Sequence, residues 1–311
     1  MSICQSKAAH YKVRLWTHLT ALDFQLAQAN SLMRSFIFIV AIILLSGCGR
    51  DGPLLINVST EKLSRELDQA ISPMMADNNI EGLSIIVIRE GKISISKSFG
   101  YADKASHRRV DEHTVFRAAS LGKPIFAYIV VSLEKGGKID LDTPLYSYLK
   151  EEVVKGDPRS RIITARMVLN HTTGLPNLNE AKSKINFIFD PGTDFQYSGH
   201  AYLYLQRVIE EVTGENLNQL ANEIVFQPLK MMDSSYVWQD KFRGKISSSY
   251  DKSGEVFPSK EKPAIGYSAW SLFTTIQDYA RFVSYTINKS STLGSVAEIM
   301  LKPQTDVAKN V

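Results

Sequence analysis

A serine and a lysine three residues apart, Ser120 and Lys123, could together carry out acyl transfer. A serine hydroxyl is a weak nucleophile until a base takes its proton, and a lysine that is partly neutral near pH 7 can be that base. The spacing alone is not specific, because Ser-x-x-Lys occurs seven times in the chain. The first residues of these matches are Ser59, Ser94, Ser120, Ser132, Ser147, Ser249 and Ser259.

The surrounding sequence distinguishes Ser120 from the other six matches. Small residues at 118–119 precede it and an apolar run at 125–130 follows, which predicts a helix over 120–134. Residues i and i+3 share one face of a helix, so the Lys123 ammonium can lie beside the Ser120 hydroxyl. The helix N-terminus would lower the pKa of the lysine and stabilise developing negative charge.

Tyr197 lies just before a second predicted helix, over 198–212, which should end at Gly214. A tyrosine at such a junction can point its hydroxyl into a cleft. If Lys123 lowers its pKa, Tyr197 can carry a proton between Ser120 and a leaving group. The alternative for a lone tyrosine is an aromatic cap on the core.

Other catalytic sites have little support in the chain. It contains no G-x-S-x-G, no G-x-x-x-x-G-K-[ST] and no H-E-x-x-H. Four histidines follow residue 48, too scattered to predict a metal site, and nothing predicts a cofactor; they are His107, His113, His171 and His200. The chain has 36 basic and 32 acidic residues, and without residues 1–47 it has 32 and 31. Such a near-neutral body predicts no nucleic-acid partner.

The N-terminal segment resembles an export signal. From Met33, one arginine and ten apolar residues at 36–45 precede small residues and Cys48. Leu45-Ser46-Gly47-Cys48 is similar to a bacterial lipobox, in which the cysteine becomes lipid-modified. Gly49 lacks the acidic residue that favours inner-membrane retention of such lipoproteins. We therefore expect a lipid anchor at Cys48, on the outer membrane facing the periplasm.

The chain is thus divided into four parts. Residues 1–32 are interpreted as an over-extended start, 33–47 as a lipoprotein signal peptide, 48–62 as a tether and 63–311 as one domain. In the domain, the order of elements favours α+β over alternating βαβ units. The patterns predict a helix over 63–75, a hairpin of 83–89 with 93–99, and a helix from Thr275 through Tyr285.

Several segments, in this order, resemble the serine β-lactamase and penicillin-binding protein family, in the branch of class C β-lactamases, D-alanyl-D-alanine carboxypeptidases and related esterases. These segments are the hairpin 82–99, Phe116–Lys123, Gly137–Pro144, Ile163–Pro176, Pro191–Ser198, Val212–Gly214 and Trp270–Thr275. The resemblance implies an antiparallel sheet with flanking helices plus a helical region, the β-lactamase/DD-peptidase-like fold. It also implies Ser120 as acylated nucleophile, Lys123 as base partner and Tyr197 as proton shuttle.

The chain departs from the family pattern at two places. Many members have Y-x-N where this chain has Tyr197-Ser198-Gly199, so Gly199, at a substrate-binding position, offers no amide to an acylamino side chain. That favours an esterase or peptidase-like hydrolase over a dedicated β-lactamase. The family's third box, [KH]-[TS]-G, is expected after Thr275, and Lys252-Ser253-Gly254 precedes it in a polar loop, which predicts a turn.

We therefore expect a C-terminally truncated chain whose sheet is incomplete, since its C-terminal strands are absent. Such a sheet should keep two or three strands and an apolar face half covered, with weak or absent turnover. Two hypotheses remain open. One is a serine hydrolase acting on a cell-wall D-amino-acid peptide, a β-lactam or an ester. The other is an inactive lipoprotein that only binds wall fragments or partners.

Overall fold

The computed structural model of the chain describes residues 58–178, 184–257 and 262–304. Its first helix, α1, spans Thr60–Asp77 and begins at Ser59, whose hydroxyl accepts a hydrogen bond from the Lys62 amide at 3.2 Å. Capping of this kind satisfies an amide that has no partner within the helix. The predicted helix over 63–75 is confirmed. The helix begins at Thr60, three residues before the interpreted start of the domain and inside the segment interpreted as a tether.

The predicted hairpin is confirmed as strands β1, Gly82–Arg89, and β2, Lys92–Asp103, which pair antiparallel. Glu90 and Gly91 join them with φ of 50° and 69°. Two left-handed residues match the right-handed twist of paired strands, which explains the tight turn. A short strand β3, Arg108–Arg109, adds to β2 and completes a three-stranded sheet in the order β1-β2-β3.

Both faces of β1 are buried. Leu83, Ile85 and Val87 pack with Ile71 and Met75 of α1 on one face. On the other face, the alternate residues at 86 and 88 join the main core. The described sheet has the expected two or three strands. The expectation that an apolar face is half covered is wrong for β1, because both of its faces pack against helices.

A second, two-stranded sheet lies beside the predicted nucleophile. Strand β4, Phe116–Ala119, pairs antiparallel with β7, Leu272–Thr274. Helix α2, Gly122–Lys135, follows β4 after a two-residue turn. The helix predicted from Ser120 therefore begins two residues later, because residues 118–119 are held in a strand by a partner far away in sequence.

The helix predicted over 198–212 is α5, Gly199–Thr213. The Ser198 hydroxyl accepts a hydrogen bond from the Ala201 amide at 3.0 Å, and Gly214 ends the helix with a φ of 73°. Left-handed backbone at that position costs glycine little. The Phe126 and Tyr202 rings lie 6.0 Å apart and pack α2 against α5.

Helix α7, Ile276–Lys289, begins at Thr275 as predicted and continues four residues past Tyr285. Only one of the two hydrogen bonds of a capping box forms at this helix end. The Thr275 hydroxyl accepts from the Asp278 amide at 3.1 Å, while the Asp278 carboxylate accepts from the Asp233 amide at 2.7 Å instead.

The remaining elements are short. They are helices α3 (Tyr146–Leu149), α4 (Ala165–Leu169), α6 (Leu217–Ala221) and α8 (Val296–Leu301), strands β5 (Ser249–Tyr250) and β6 (Val256–Phe257), the 3-10 helices Pro158–Arg161 and Asp240–Phe242, and the π-helical turn Asn222–Phe226. Lys252-Ser253-Gly254 forms the predicted turn between β5 and β6, with a Gly254 φ of 81°. No helix within the described ranges is long and apolar enough to cross a membrane.

Candidate active site

Ser120 lies in the turn between β4 and α2, at the end of a strained strand. Ala119, just before it, has a φ of 45°, and left-handed backbone costs a non-glycine residue about 1–2 kcal/mol. The Lys123 amide donates to the Ser120 carbonyl at 3.0 Å, which closes the turn. The chain thus reverses sharply at Ser120. Strain of this kind is common at functional sites, where the surrounding structure maintains it.

Lys123 lies in the first turn of α2 and is only 5% exposed. Its Nζ lies 3.1 Å from Ser120 Oγ and donates to the Ala269 carbonyl at 2.7 Å. Burial lowers the pKa of Lys123 from 10.5 to about 7. The direction agrees with the sequence-based expectation, and the cause is removal of the ammonium from water. Near neutral pH, a large fraction of the protein molecules therefore have a neutral Lys123, which can accept a proton from Ser120.

Tyr197 is the third predicted residue, and the structure brings it to the same place. Its side chain hydrogen-bonds Ser120, and its ring centroid lies 4.7 Å from Lys123 Nζ. Burial raises the pKa of Tyr197, and the Ser120 hydrogen bond only partly opposes this. The pKa of Tyr197 is therefore raised overall, and the condition that Lys123 lowers it is not met. A tyrosine in this state is a neutral phenol that can donate its proton.

The Ala269 carbonyl is a member of the cluster that the sequence did not indicate. It accepts from Lys123 Nζ at 2.7 Å and from Ser120 Oγ at 3.4 Å. Buried Gln206 of α5 holds the loop that carries it: Gln206 Oε1 accepts from the Ser268 amide at 2.7 Å, and its Nε2 donates to the Gly266 carbonyl at 2.8 Å. A backbone acceptor has no side-chain signature, so only the fold could show it.

Gly199 is the first residue of α5 and packs beneath the loop at 177–178. Its amide donates to Asn177 Oδ1 at 3.0 Å, and a Cβ at this position would lie 2.6 Å from Leu178 Cγ. The position predicted to bind substrate is thus covered by the side chains of Asn177 and Leu178. Neither residue had a pattern in the sequence that would have identified it.

Two further sequence-based predictions concern ligands. Cys48, the predicted lipid attachment residue, lies outside the described residues. Within residues 58–178, 184–257 and 262–304, no group of three or more His, Cys, Asp or Glu side chains could hold a metal ion.

Comparison with known proteins identifies relatives of the chain. It is 28% identical over 214 residues to esterase EstB of Burkholderia gladioli, an alignment that covers 60% of this chain and 54% of the esterase. It is 21% identical over 252 residues to protein flp of Staphylococcus aureus strain MW2, covering 74% of this chain and 50% of that protein. The chain therefore spans about half the length of these curated relatives.

Among solved structures, D-alanine carboxypeptidase AmpC from Burkholderia cenocepacia superposes with a TM-score of 0.66 at 21% identity, covering 78% of this chain and 69% of the carboxypeptidase. This likeness confirms the predicted α+β, β-lactamase/DD-peptidase-like fold. The β-lactamase family model matches residues 67–309, the range that contains every element from β1 to α8. The match spans well over half of the sequence, and the chain therefore belongs to the β-lactamase family.

Proposed function

We propose that the chain is a serine hydrolase that forms an acyl-enzyme on Ser120. The observation that carries this proposal is the buried Lys123 Nζ 3.1 Å from Ser120 Oγ, with a pKa lowered to about 7. A structural lysine gains nothing from burial beside a serine, since burying an ammonium without an anionic partner is costly. Lowered lysine pKa values next to a hydroxyl are typical of activated nucleophiles.

In the proposed acylation, neutral Lys123 takes the proton from Ser120 Oγ while that oxygen attacks the substrate carbonyl. Collapse of the tetrahedral intermediate breaks the bond to the leaving group. The Tyr197 phenol gives that group its proton, and the Lys123 ammonium returns a proton to the tyrosine oxygen. Water then attacks the acyl-serine ester while Lys123 takes its proton, and the Lys123 ammonium returns that proton to Ser120 Oγ as the ester bond breaks. Each cycle leaves all three side chains as they began.

An ester is the substrate class that we favour, with a D-amino-acid peptide or a β-lactam as the other members of the proposal. Gly199 supplies no amide for an acylamino group, and a side chain there would collide with Leu178. The relatives agree in part: EstB is named an esterase, AmpC a D-alanine carboxypeptidase, and another fold neighbour at a TM-score of 0.66 is EstCE1, a hydrolase with promiscuous acyltransferase activity.

Covalent labelling tests the nucleophile directly. The protein is treated with a fluorescent fluorophosphonate, and in parallel with a fluorescent penicillin, and compared with Ser120→Ala. Ser132→Ala is the matched control, since Ser132 also begins a Ser-x-x-Lys match and its hydroxyl donates to the Tyr128 carbonyl of its own helix. We expect label on the parent protein and on Ser132→Ala but not on Ser120→Ala. An unlabelled parent protein would favour the non-catalytic binding protein instead.

We also propose that Cys48 anchors the protein to a membrane through lipid, with the hydrolase domain on the periplasmic side. The support is the sequence Leu45-Ser46-Gly47-Cys48 after an apolar run. Cys48→Ser, expressed with the native leader, should lose incorporation of labelled fatty acid and with it the lipid anchor. Unchanged lipid labelling in that variant would refute the anchor.

A further inference from the structure

His171 contacts three consecutive residues around the predicted proton shuttle. Its carbonyl accepts from the Gln196 amide at 2.8 Å, and its Nδ1 accepts from the Ser198 amide at 3.1 Å. Between these two bonds, the His171 ring lies 4.5 Å from the Tyr197 ring, centroid to centroid, at 36°. We propose that His171 is a positioning residue that holds the Tyr197 hydroxyl at Ser120, an inference that rests on the proposed hydrolase function.

The backbone turns at His171, where the Thr172 amide donates to the Met167 carbonyl at 2.8 Å and ends α4. His171 follows α4 and has a φ of 61°, a left-handed conformation that few side chains adopt without strain. The turn directs the carbonyl and the ring of one residue toward the same segment.

The ring is fixed on more than one side. Its centroid lies 5.1 Å from that of the Tyr202 ring, with an interplanar angle of 30°. The Phe195 ring meets it edge-on, with the centroids 5.9 Å apart. Nδ1 accepts a hydrogen bond, so the neutral ring carries its proton on Nε2. Burial, with a smaller contribution from the Lys123 charge, lowers the pKa of His171 to about 4. The ring therefore stays neutral and the bond to Ser198 persists at neutral pH.

This arrangement leaves His171 with no proton-transfer role of its own. Its Nδ1 lone pair is engaged by the Ser198 amide, and the Ser120 hydroxyl bonds other groups. Its effect is on geometry: the residues on both sides of Tyr197 are hydrogen-bonded to one histidine, which restricts the backbone that carries the phenol. A displacement of about 1 Å at a reacting group can lower a rate roughly 10²-fold.

Two substitutions separate positioning from folding. His171→Asn and His171→Gly both tolerate a left-handed backbone, but only asparagine offers an oxygen close to where Nδ1 lies. His107→Gly is the matched control, because His107 is an exposed histidine with a φ of 54° whose ring meets Tyr101 at 6.0 Å, centroid to centroid.

Activity is measured as kcat and KM for a p-nitrophenyl ester and as the rate of fluorophosphonate labelling. We expect His171→Gly to lower kcat and the labelling rate about 10²-fold with KM changed by less than about threefold. His171→Asn should remain within about tenfold of the parent protein, and His107→Gly should match it. Equal losses in the asparagine and glycine variants would overturn the role of the Nδ1 acceptor.

Hydrogen exchange of the Ser198 amide provides a second measurement that needs no turnover. It should be protected in the parent protein and in His171→Asn, and at least about tenfold faster in His171→Gly. Unchanged protection in His171→Gly refutes the positioning role even if the protein is active. Failure of Ser120 labelling in the parent protein refutes the hydrolase function, while the exchange experiment still decides whether His171 holds this segment.

Discussion

Replacing Lys123 with methionine should remove activity and alter the pH dependence of stability in a direction that the structure specifies. Methionine keeps a long unbranched chain in the buried site but cannot accept a proton. Loss of the general base should slow acylation about 10²–10⁴-fold. Most destabilised variants lose activity because they unfold. Here the stability of the variant relative to the parent protein should instead increase as the pH falls.

The magnitude follows from the pKa of Lys123, which is 10.5 when free and about 7 when buried. Between these values the unfolded chain holds the proton and the native chain does not, so the free energy of unfolding rises with pH, by up to about 1.4 kcal/mol per pH unit. Below pH 7 both states are protonated and the full cost of the buried charge is present. The contribution of Lys123 to the free energy of unfolding should therefore increase by roughly 2–3 kcal/mol from pH 6 to pH 9.

A methionine at position 123 makes no such contribution. The stability of the Lys123→Met variant relative to the parent protein should therefore be higher at pH 6 than at pH 9, by the same roughly 2–3 kcal/mol. The Ala269 carbonyl loses its lysine donor in the variant, but that cost is the same at both pH values. His171 does not titrate in this window, since burial lowers its pKa to about 4.

Urea unfolding of the two proteins at pH 6 and pH 9, followed by circular dichroism, measures this difference. Lys138→Met, at an exposed lysine beyond the end of α2, is the control for simple loss of a positive charge. A stability difference between parent and Lys123→Met that is the same at both pH values would show that Lys123 is not held neutral in the fold. The assignment of Lys123 as base would then fail with it.

Three other substitutions follow from the same contacts. Gln206→Leu should leave the Ser268 amide and the Gly266 carbonyl unpaired, at a cost of about 1–3 kcal/mol each, and should slow Ser120 labelling; unchanged urea midpoint and labelling rate would contradict this. Gly199→Asn should lower the yield of folded protein and give no gain in nitrocefin hydrolysis, because its Cβ would lie 2.6 Å from Leu178 Cγ. Ala119→Gly should raise stability by up to about 1 kcal/mol by relieving the left-handed backbone, and a lower urea midpoint would argue against strain at that position.

Local signals in the sequence predicted α1, the hairpin and α5 within a few residues. Helix α5 begins at the Ser198 cap and ends at Gly214. Each of these residues is adjacent to the helix end that it determines, so a local pattern was enough to predict both ends. The start of α2 was wrong by two residues for the opposite reason. Pairing of β4 with β7 joins segments more than 150 residues apart, and no local pattern shows that residues 120–121 form a turn between this strand and the helix.

The site divides in the same way. The nearness of Ser120 and Lys123 was predictable because it depends on a spacing within one turn. The position of Tyr197 came from its place before a helix, but its raised pKa did not, because that depends on burial by distant segments. The Ala269 carbonyl was not predictable from residue types at all. Its position depends on Gln206, a side chain more than 60 residues away in sequence.

The same physical cause shifts the pKa values of Lys123 and Tyr197 in opposite directions. Burial disfavours the charged form of each group, so it lowers the pKa of Lys123 and raises the pKa of Tyr197. Both side chains are then neutral just above pH 7, one with a free lone pair and the other with a proton to give. Pairs of groups whose pKa values are separated by their surroundings identify the acid and the base in a site. Burial also keeps His171 neutral, so the residue that orients Tyr197 adds no charge that would disturb this pair. A serine could thus be activated here without a histidine base, provided that the cluster stays dry.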